Sequence, residues 1–114
     1  MAVPLPGQQV RGSRTGRPIM ALLDLLGRRW ALRILWELRA QTLNFRELRE
    51  RCDSMSPSVL NARLAELREA GVVELAVDGY RLTGDGDGLL EAFTPVSAWA
   101  KRWGRRMARS RMSA

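Results

Sequence analysis

The chain contains no histidine and a single cysteine, Cys52. Without histidine the commonest general base and the commonest metal ligand are missing, so hydrolytic and zinc-dependent chemistry would lack its usual parts. One cysteine cannot form an internal disulfide, which agrees with a reducing compartment. No stretch approaches the roughly 20 apolar residues that span a bilayer, and residues 1–16 lack the apolar core of a signal peptide. The expected location is the cytoplasm, away from membranes. No nucleophile–base pair, phosphate-binding glycine loop or ligand cluster can be assembled at sensible spacing, so the chain is not read as an enzyme. No cofactor and no metal is implied.

What is present fits one small globular domain. The 114 residues are 46% hydrophobic and 27% charged, and a chain of this size buries only about two-thirds of its unfolded surface. The formal charge of +7 and pI near 11.3 point to a polyanionic partner, with nucleic acid the first candidate. The distribution of charge weakens that inference: residues 18–100 hold 10 basic against 12 acidic side chains. The remaining basic residues lie at the ends, Arg11, Arg14 and Arg17 before this body and Lys101, Arg102, Arg105, Arg106, Arg109 and Arg111 after it.

Residues 1–16, with Pro4, Pro6, Gly7, Gly12 and Gly16, have the composition of a flexible basic arm. Pro18 suits a helix start, and Ile19, Leu22, Leu23 and Leu26 repeat at helical spacing before Gly27 stops the run. From Trp30 to Leu38 two apolar stripes, Trp30/Ile34/Leu38 and Leu32/Trp36, predict a second helix buried on both sides. Asn44 and Glu47 form a capping-box pair for a third helix, with Phe45, Leu48 and Cys52 on its inner face, ending near Asp53. A fourth helix is predicted over 56–70, with Ser56 as N-cap, Pro57 in the first turn and Gly71 as stop.

Residues 72–77 have strand composition, Asp78-Gly79 signals a two-residue hairpin, and Tyr80-Arg81-Leu82 returns antiparallel as a short wing. From near Asp87 a single stripe of Leu89, Phe93, Val96, Ala100, Trp103 and Met107 runs through Pro95, so either the helix kinks there or Thr94 caps a new helix starting at Pro95, and the continuity of the stripe favours the kink. The fold class is therefore mainly α with a small β-hairpin, a winged helix-turn-helix. Its body spans 17–104, and 105–114 form a basic tail.

The pattern of Ile19 to Leu26 with Gly27 and Trp30, Phe45-Arg46-Glu47-Leu48, and Met55-Ser56-Pro57 with Leu60, Arg63, Leu64, Leu67 and Gly71-Val72-Val73 resembles the HxlR-type family of bacterial regulators. The resemblance covers residues 17–104. It implies a homodimeric repressor or activator that binds double-stranded DNA, with 56–70 as the recognition helix in the major groove. Two departures stand out. The wing is short, with Arg81 its one basic residue, so minor-groove reading is not expected of it. Arg17 stands before Pro18 where many members carry cysteine, which removes the main residue of a thiol switch.

Independently of the resemblance, a helical wheel turns Leu60, Leu64 and Leu67 inward and Ser58, Asn61, Ala62 and Ala65 outward. Asparagine pairs bidentately with adenine, and small neighbours permit close approach to a groove, so Asn61 is the expected base reader. Free N–H groups near Ser56 and Pro57 attract phosphate, whereas Glu66 and Glu69 later in the helix repel it. Arg63 either reaches a phosphate or pairs with a carboxylate. Arg46 and Arg81 are further candidate backbone contacts, although Arg46, Arg49 and Arg51 alternate with Glu47 and Glu50 as on a solvated face. Leu22, Trp36, Phe93, Val96, Trp99, Trp103 and Met107 are expected at the dimer interface.

Four other readings stand beside these. A winged-helix protein-interaction module is the main alternative, given the scarcity of basic residues on the groove face. Trp36, Trp99 and Trp103 could line a pocket for a small-molecule effector, although aromatics at helical spacing are more often core or dimer contacts. Asp85 and Asp87 open like a calcium loop, but Leu89 occupies the third acidic position, and a flexible loop leading into a helix is expected there. Cys52 reads as a small buried hydrophobe.

Overall fold

The computed structural model of the chain describes residues 3–8 and 16–113. Among the described residues six helices and one hairpin follow in the order α1 (Pro18–Leu26), α2 (Ala31–Glu37), α3 (Phe45–Arg51), α4 (Pro57–Glu69), β1 (Val73–Ala76), β2 (Gly79–Leu82), α5 (Gly84–Ala92) and α6 (Thr94–Ser113). This is the element order of a winged helix-turn-helix. Arg11 and Arg14 lie outside the described residues. Residues 3–8 rest on the body instead of standing free as an arm: Val3 packs against the core, Pro4 is buried, and Gly7 N–H donates to the Gly16 carbonyl at 2.9 Å.

The core is formed by Ile34 and Leu35 of α2 with its C-cap Leu38, Leu48 and Cys52 at α3, Leu60, Leu64 and Leu67 of α4, and Val73, Leu82 and Leu90. α2 buries one stripe and leaves the other, Leu32 and Trp36, exposed. The expectation of burial on both sides therefore fails for the single chain. α1 corrects the reading in the same sense. Its inner face is Ala21 and Leu25, while Ile19 and Leu23 are exposed and Leu22 and Leu26 half-buried. The wheel could not choose between faces because α1 is apolar nearly all round.

α3 starts as its sequence requires. Asn44 Oδ1 accepts from Glu47 N–H at 2.8 Å, and Glu47 Oε1 accepts from Asn44 N–H at 3.0 Å. The link to α4 turns sharply through two left-handed residues, Asp53 (φ 57°) and Ser54 (φ 55°). Arg49 holds that turn, with its carbonyl accepting from Ser54 N–H at 3.0 Å and its Nε donating to the Met55 carbonyl at 2.7 Å. Ser56 occupies the N-cap position of α4 without bonding the helix; its hydroxyl lies 3.0 Å from that of Ser58. Gly71 (φ 80°) ends the helix as expected.

The hairpin register pairs Val73 with Leu82 and Ala76 with Gly79. The two-residue turn is thus Val77-Asp78, one position earlier than the Asp78-Gly79 signal predicts. Gly79 is needed inside β2 rather than at the tip: at φ 141° it presses against the Leu43 backbone, and any Cβ there would run into the Leu43 carbonyl. Leu43 and Tyr80 exchange backbone hydrogen bonds at 3.0 and 2.8 Å, which ties the wing to the start of α3.

Three expectations for the C-terminal third are corrected. The Gly84–Gly88 stretch is the first turn and more of α5 rather than a flexible loop. Thr83 caps it, with Oγ1 accepting from Gly86 N–H at 3.1 Å and donating to the Gly71 carbonyl at 2.6 Å. A side chain at Gly86 would collide with the Val72 carbonyl, so glycine lets the helix approach the wing. The apolar stripe through Pro95 is broken at Phe93 rather than kinked, and α6 begins afresh at Thr94. Proline has no N–H to continue the α5 ladder but is well tolerated in the first turn of a helix. The segment beyond 104, expected as a tail, continues α6 as helix to Ser113.

Candidate nucleic-acid interface

The candidate groove face belongs to α4. Leu60, Leu64 and Leu67 are buried, which forces the opposite side outward: Ser56, Pro57, Ser58, Asn61, Ala62 and Ala65 are all exposed. The outward face is small and uncharged over its first two turns. No basic residue lies on that face, so attraction for a phosphate there comes from the helix N-terminus itself.

The arginines chosen from sequence are engaged within the chain. Arg63 Nε donates to the Arg29 carbonyl at 2.8 Å and its Nη1 lies 2.6 Å from Glu66 Oε1. Of the two roles left open for Arg63, the carboxylate pair is the one present. Arg81 pairs with Glu74 across the hairpin at 3.0 Å, and Arg46 pairs loosely with Glu50 at 3.5 Å while keeping most of its side chain in solvent. Exposed pairs of this kind contribute little to stability and dissociate readily when a stronger anion arrives.

A second face gathers most of the expected dimer residues. Val96, Trp99, Trp103 and Met107 form one exposed stripe along α6, and Trp99 and Trp103 stack with ring centroids 5.7 Å apart. Trp36 and Phe93, with Leu32, Leu90, Val96 and Ala100, line an adjoining cleft of about 430 Å³ between α2 and the α5–α6 break. Of the three tryptophans considered for an effector pocket, Trp36 alone lines this cleft. Leu22 is half-buried on α1; the exposed apolar residues of that helix are Ile19 and Leu23, which its own periodicity had flagged.

Cys52 is fully buried, and burial pushes its thiol up from the ordinary range, as packing rather than redox chemistry requires. Among the described residues no group of acidic, cysteine or histidine side chains could hold a metal ion, and no helix is long and apolar enough to cross a membrane. Sequence reasoning missed two features. One is the contact of Arg28 with Glu66, which joins residues 38 apart and leaves no local signal. The other is the left-handed backbone of Trp30 (φ 75°), unexpected at a bulky residue.

Comparison with known proteins agrees with this architecture. Residues 25–108 match the model of the HxlR-like helix-turn-helix family. The HTH-type transcriptional regulator YvaP of Bacillus subtilis is 32% identical over 88 residues, covering 71% of this chain and 82% of that protein. The crystal structure of quinone-bound YodB from B. subtilis superposes with a TM-score of 0.69 at 33% identity, covering 74% of this chain and 96% of YodB. A possible HxlR family transcriptional factor from Thermoplasma volcanium superposes with a TM-score of 0.65 at 25% identity, covering 74% of this chain and 82% of that one. The chain belongs to the HxlR-like helix-turn-helix family of winged-helix transcriptional regulators.

Proposed function

We propose that the chain acts as a homodimer that binds a palindromic double-stranded operator, each protomer inserting α4 into the major groove. The observation that carries this reading is the exposed, uncharged face of Ser58, Asn61, Ala62 and Ala65 backed by three buried leucines. A helix with that profile can approach base edges closely. Ser56, Pro57 and Ser58 bring the helix N-terminus to a phosphate, Asn61 reads a base, and Ala62 leaves room for a thymine methyl. Arg46 and Arg81 exchange their weak intrachain partners for phosphates as the complex forms, while Arg63 stays with Glu66.

The dimer buries the α6 stripe, the Leu32/Trp36 face and the exposed residues of α1. Two recognition helices then stand about one DNA turn apart, roughly 34 Å. The basic residues of α6 add sequence-independent attraction.

Selection of bound fragments from a random duplex pool tests the reading in one experiment. The expected result is an enriched inverted repeat with half-sites about 10 bp apart. Asn61→Ala is then expected to weaken binding to the selected duplex by roughly 1–3 kcal/mol and to leave binding to random DNA nearly unchanged. Recovery of no motif, or an equal loss on random DNA, overturns the base-reading role.

A further inference from the structure

α4 is held by two kinds of contact. Its leucines sit in the core and fix how deep the helix lies, but apolar contacts are non-directional and leave its axial angle softly determined. Oriented polar contacts fix angles, and α4 has one such cluster on its body side. Glu66 accepts from Arg28 and from Arg63, the latter at 2.6 Å. Arg63 also donates Nε to the Arg29 carbonyl at 2.8 Å. The side chains of Arg28, Glu66 and Arg63 are only 11%, 16% and 24% exposed, which withdraws these charge-assisted bonds from most solvent competition.

The far end of the cluster is the α1–α2 junction. There Trp30 holds its left-handed backbone, and the Arg29 guanidinium lies 5.7 Å from its ring centroid. α4 is therefore tied by directional bonds to the turn that follows α1.

We propose that Glu66 is a positioning residue which, with Arg63, sets the axial angle at which α4 is presented to DNA and fixes that angle to the α1–α2 turn. The proposal rests on the reading of α4 as the DNA-inserted helix; Glu66 itself touches no DNA in it. A carboxylate on such a helix repels phosphate, so charge and positioning predict opposite results for its removal. By charge alone, Glu66→Gln tightens binding to every duplex. By positioning, it weakens operator binding although the charge has become more favourable, and does not weaken random-sequence binding.

The test titrates the full chain, as wild type, Glu66→Gln, Arg63→Gln and the double variant, against the selected operator and a scrambled duplex of equal length, with thermal unfolding recorded for each. Each single variant is expected to lose about tenfold in operator affinity and none on the scrambled duplex, and the double variant to lose little more than either single one. Operator affinity that is unchanged or raised in Glu66→Gln overturns the proposal, and so do two losses that multiply in the double variant. If Glu66→Gln fails to fold, Arg63→Gln, which keeps the Arg28–Glu66 pair, carries the same comparison: equal loss on both duplexes overturns it. A wild-type chain that does not prefer operator to scrambled DNA defeats the DNA-binding reading itself, whereas wild-type preference retained in Glu66→Gln defeats the positioning role alone.

Discussion

The body of the domain, residues 18–92, and the long helix α6 solve their surfaces in opposite ways. In the body, charges of both signs alternate and pair: Arg33 with Glu37, Arg46 with Glu50, Arg81 with Glu74, and Arg28 and Arg63 with Glu66. Most of its large apolar side chains converge on one core, with Ile19, Leu23, Leu32 and Trp36 among those left exposed. α6 carries six cations and no acid over 20 residues, and leaves Val96, Trp99, Trp103 and Met107 between 45% and 52% exposed. A helix that neither neutralises its charge nor covers its apolar stripe within its own chain is suited to partners outside it. The difference separates a charge-paired body, which carries the exposed α4 face, from a helix whose cations and apolar stripe its own chain leaves uncovered.

The largest expected effect breaks the body. Leu64→Ala removes a side chain that is 1% exposed between α4 and the rest of the core, and is expected to cost about 2–5 kcal/mol of unfolding free energy by denaturant titration. Trp103→Ala, at a half-exposed position, is expected to cost the dilute single chain less than about 1 kcal/mol. Equal losses at the two positions would show that α6 belongs to the same cooperative core and dissolve the contrast.

Trp103→Ala is instead expected to act on assembly. If the α6 stripe is the centre of a twofold interface, truncating a stacked tryptophan weakens dimerisation by about 2 kcal/mol or more, roughly thirtyfold. Sedimentation over a concentration series reads that shift directly. A wild-type chain that stays monomeric at micromolar concentration refutes the homodimer, and a dimer indifferent to Trp103→Ala moves the interface away from α6.

The same contrast explains how far the sequence alone could be read. In the body, local rules suffice: the Asn44–Glu47 capping box, Pro57 in a first turn, Gly71 at positive φ, and three leucines at helical spacing in α4 all stand where their chemistry puts them. Local rules fall short where a distant residue decides. Asp-Gly is a strong local turn signal and points to Gly79 as a hairpin tip, but the Leu43 backbone claims it for the strand. The glycines of 84–88 read as loop until Thr83 and the close approach of Val72 make them helix. Leu32, Trp36, Ile19 and Leu23 were recognisable as apolar faces, yet periodicity cannot tell a face covered by its own chain from one left for a partner. The groove face of α4 was legible because burial of its leucines leaves only one side outward. The Arg28–Glu66–Arg63 cluster was not, since sequence neighbours carry no trace of a contact 38 residues away.

The smallest effect sharpens the role of the cations. Because 105–113 is helix rather than tail, deleting it would also remove Met107 and part of the apolar stripe, confounding charge with assembly. Substituting Arg105, Arg106, Arg109 and Arg111 by Gln keeps helix-forming side chains in place and removes charge alone. If these residues meet phosphates, each lost contact flattens the dependence of log K on log salt by about 0.9. The preference for operator over random DNA is expected to stay as it was, because phosphate contacts carry no direct sequence information. An unchanged salt slope assigns these cations to something other than DNA. A slope that flattens while discrimination also collapses means that α6 helps to aim α4, and then the body no longer specifies recognition by itself.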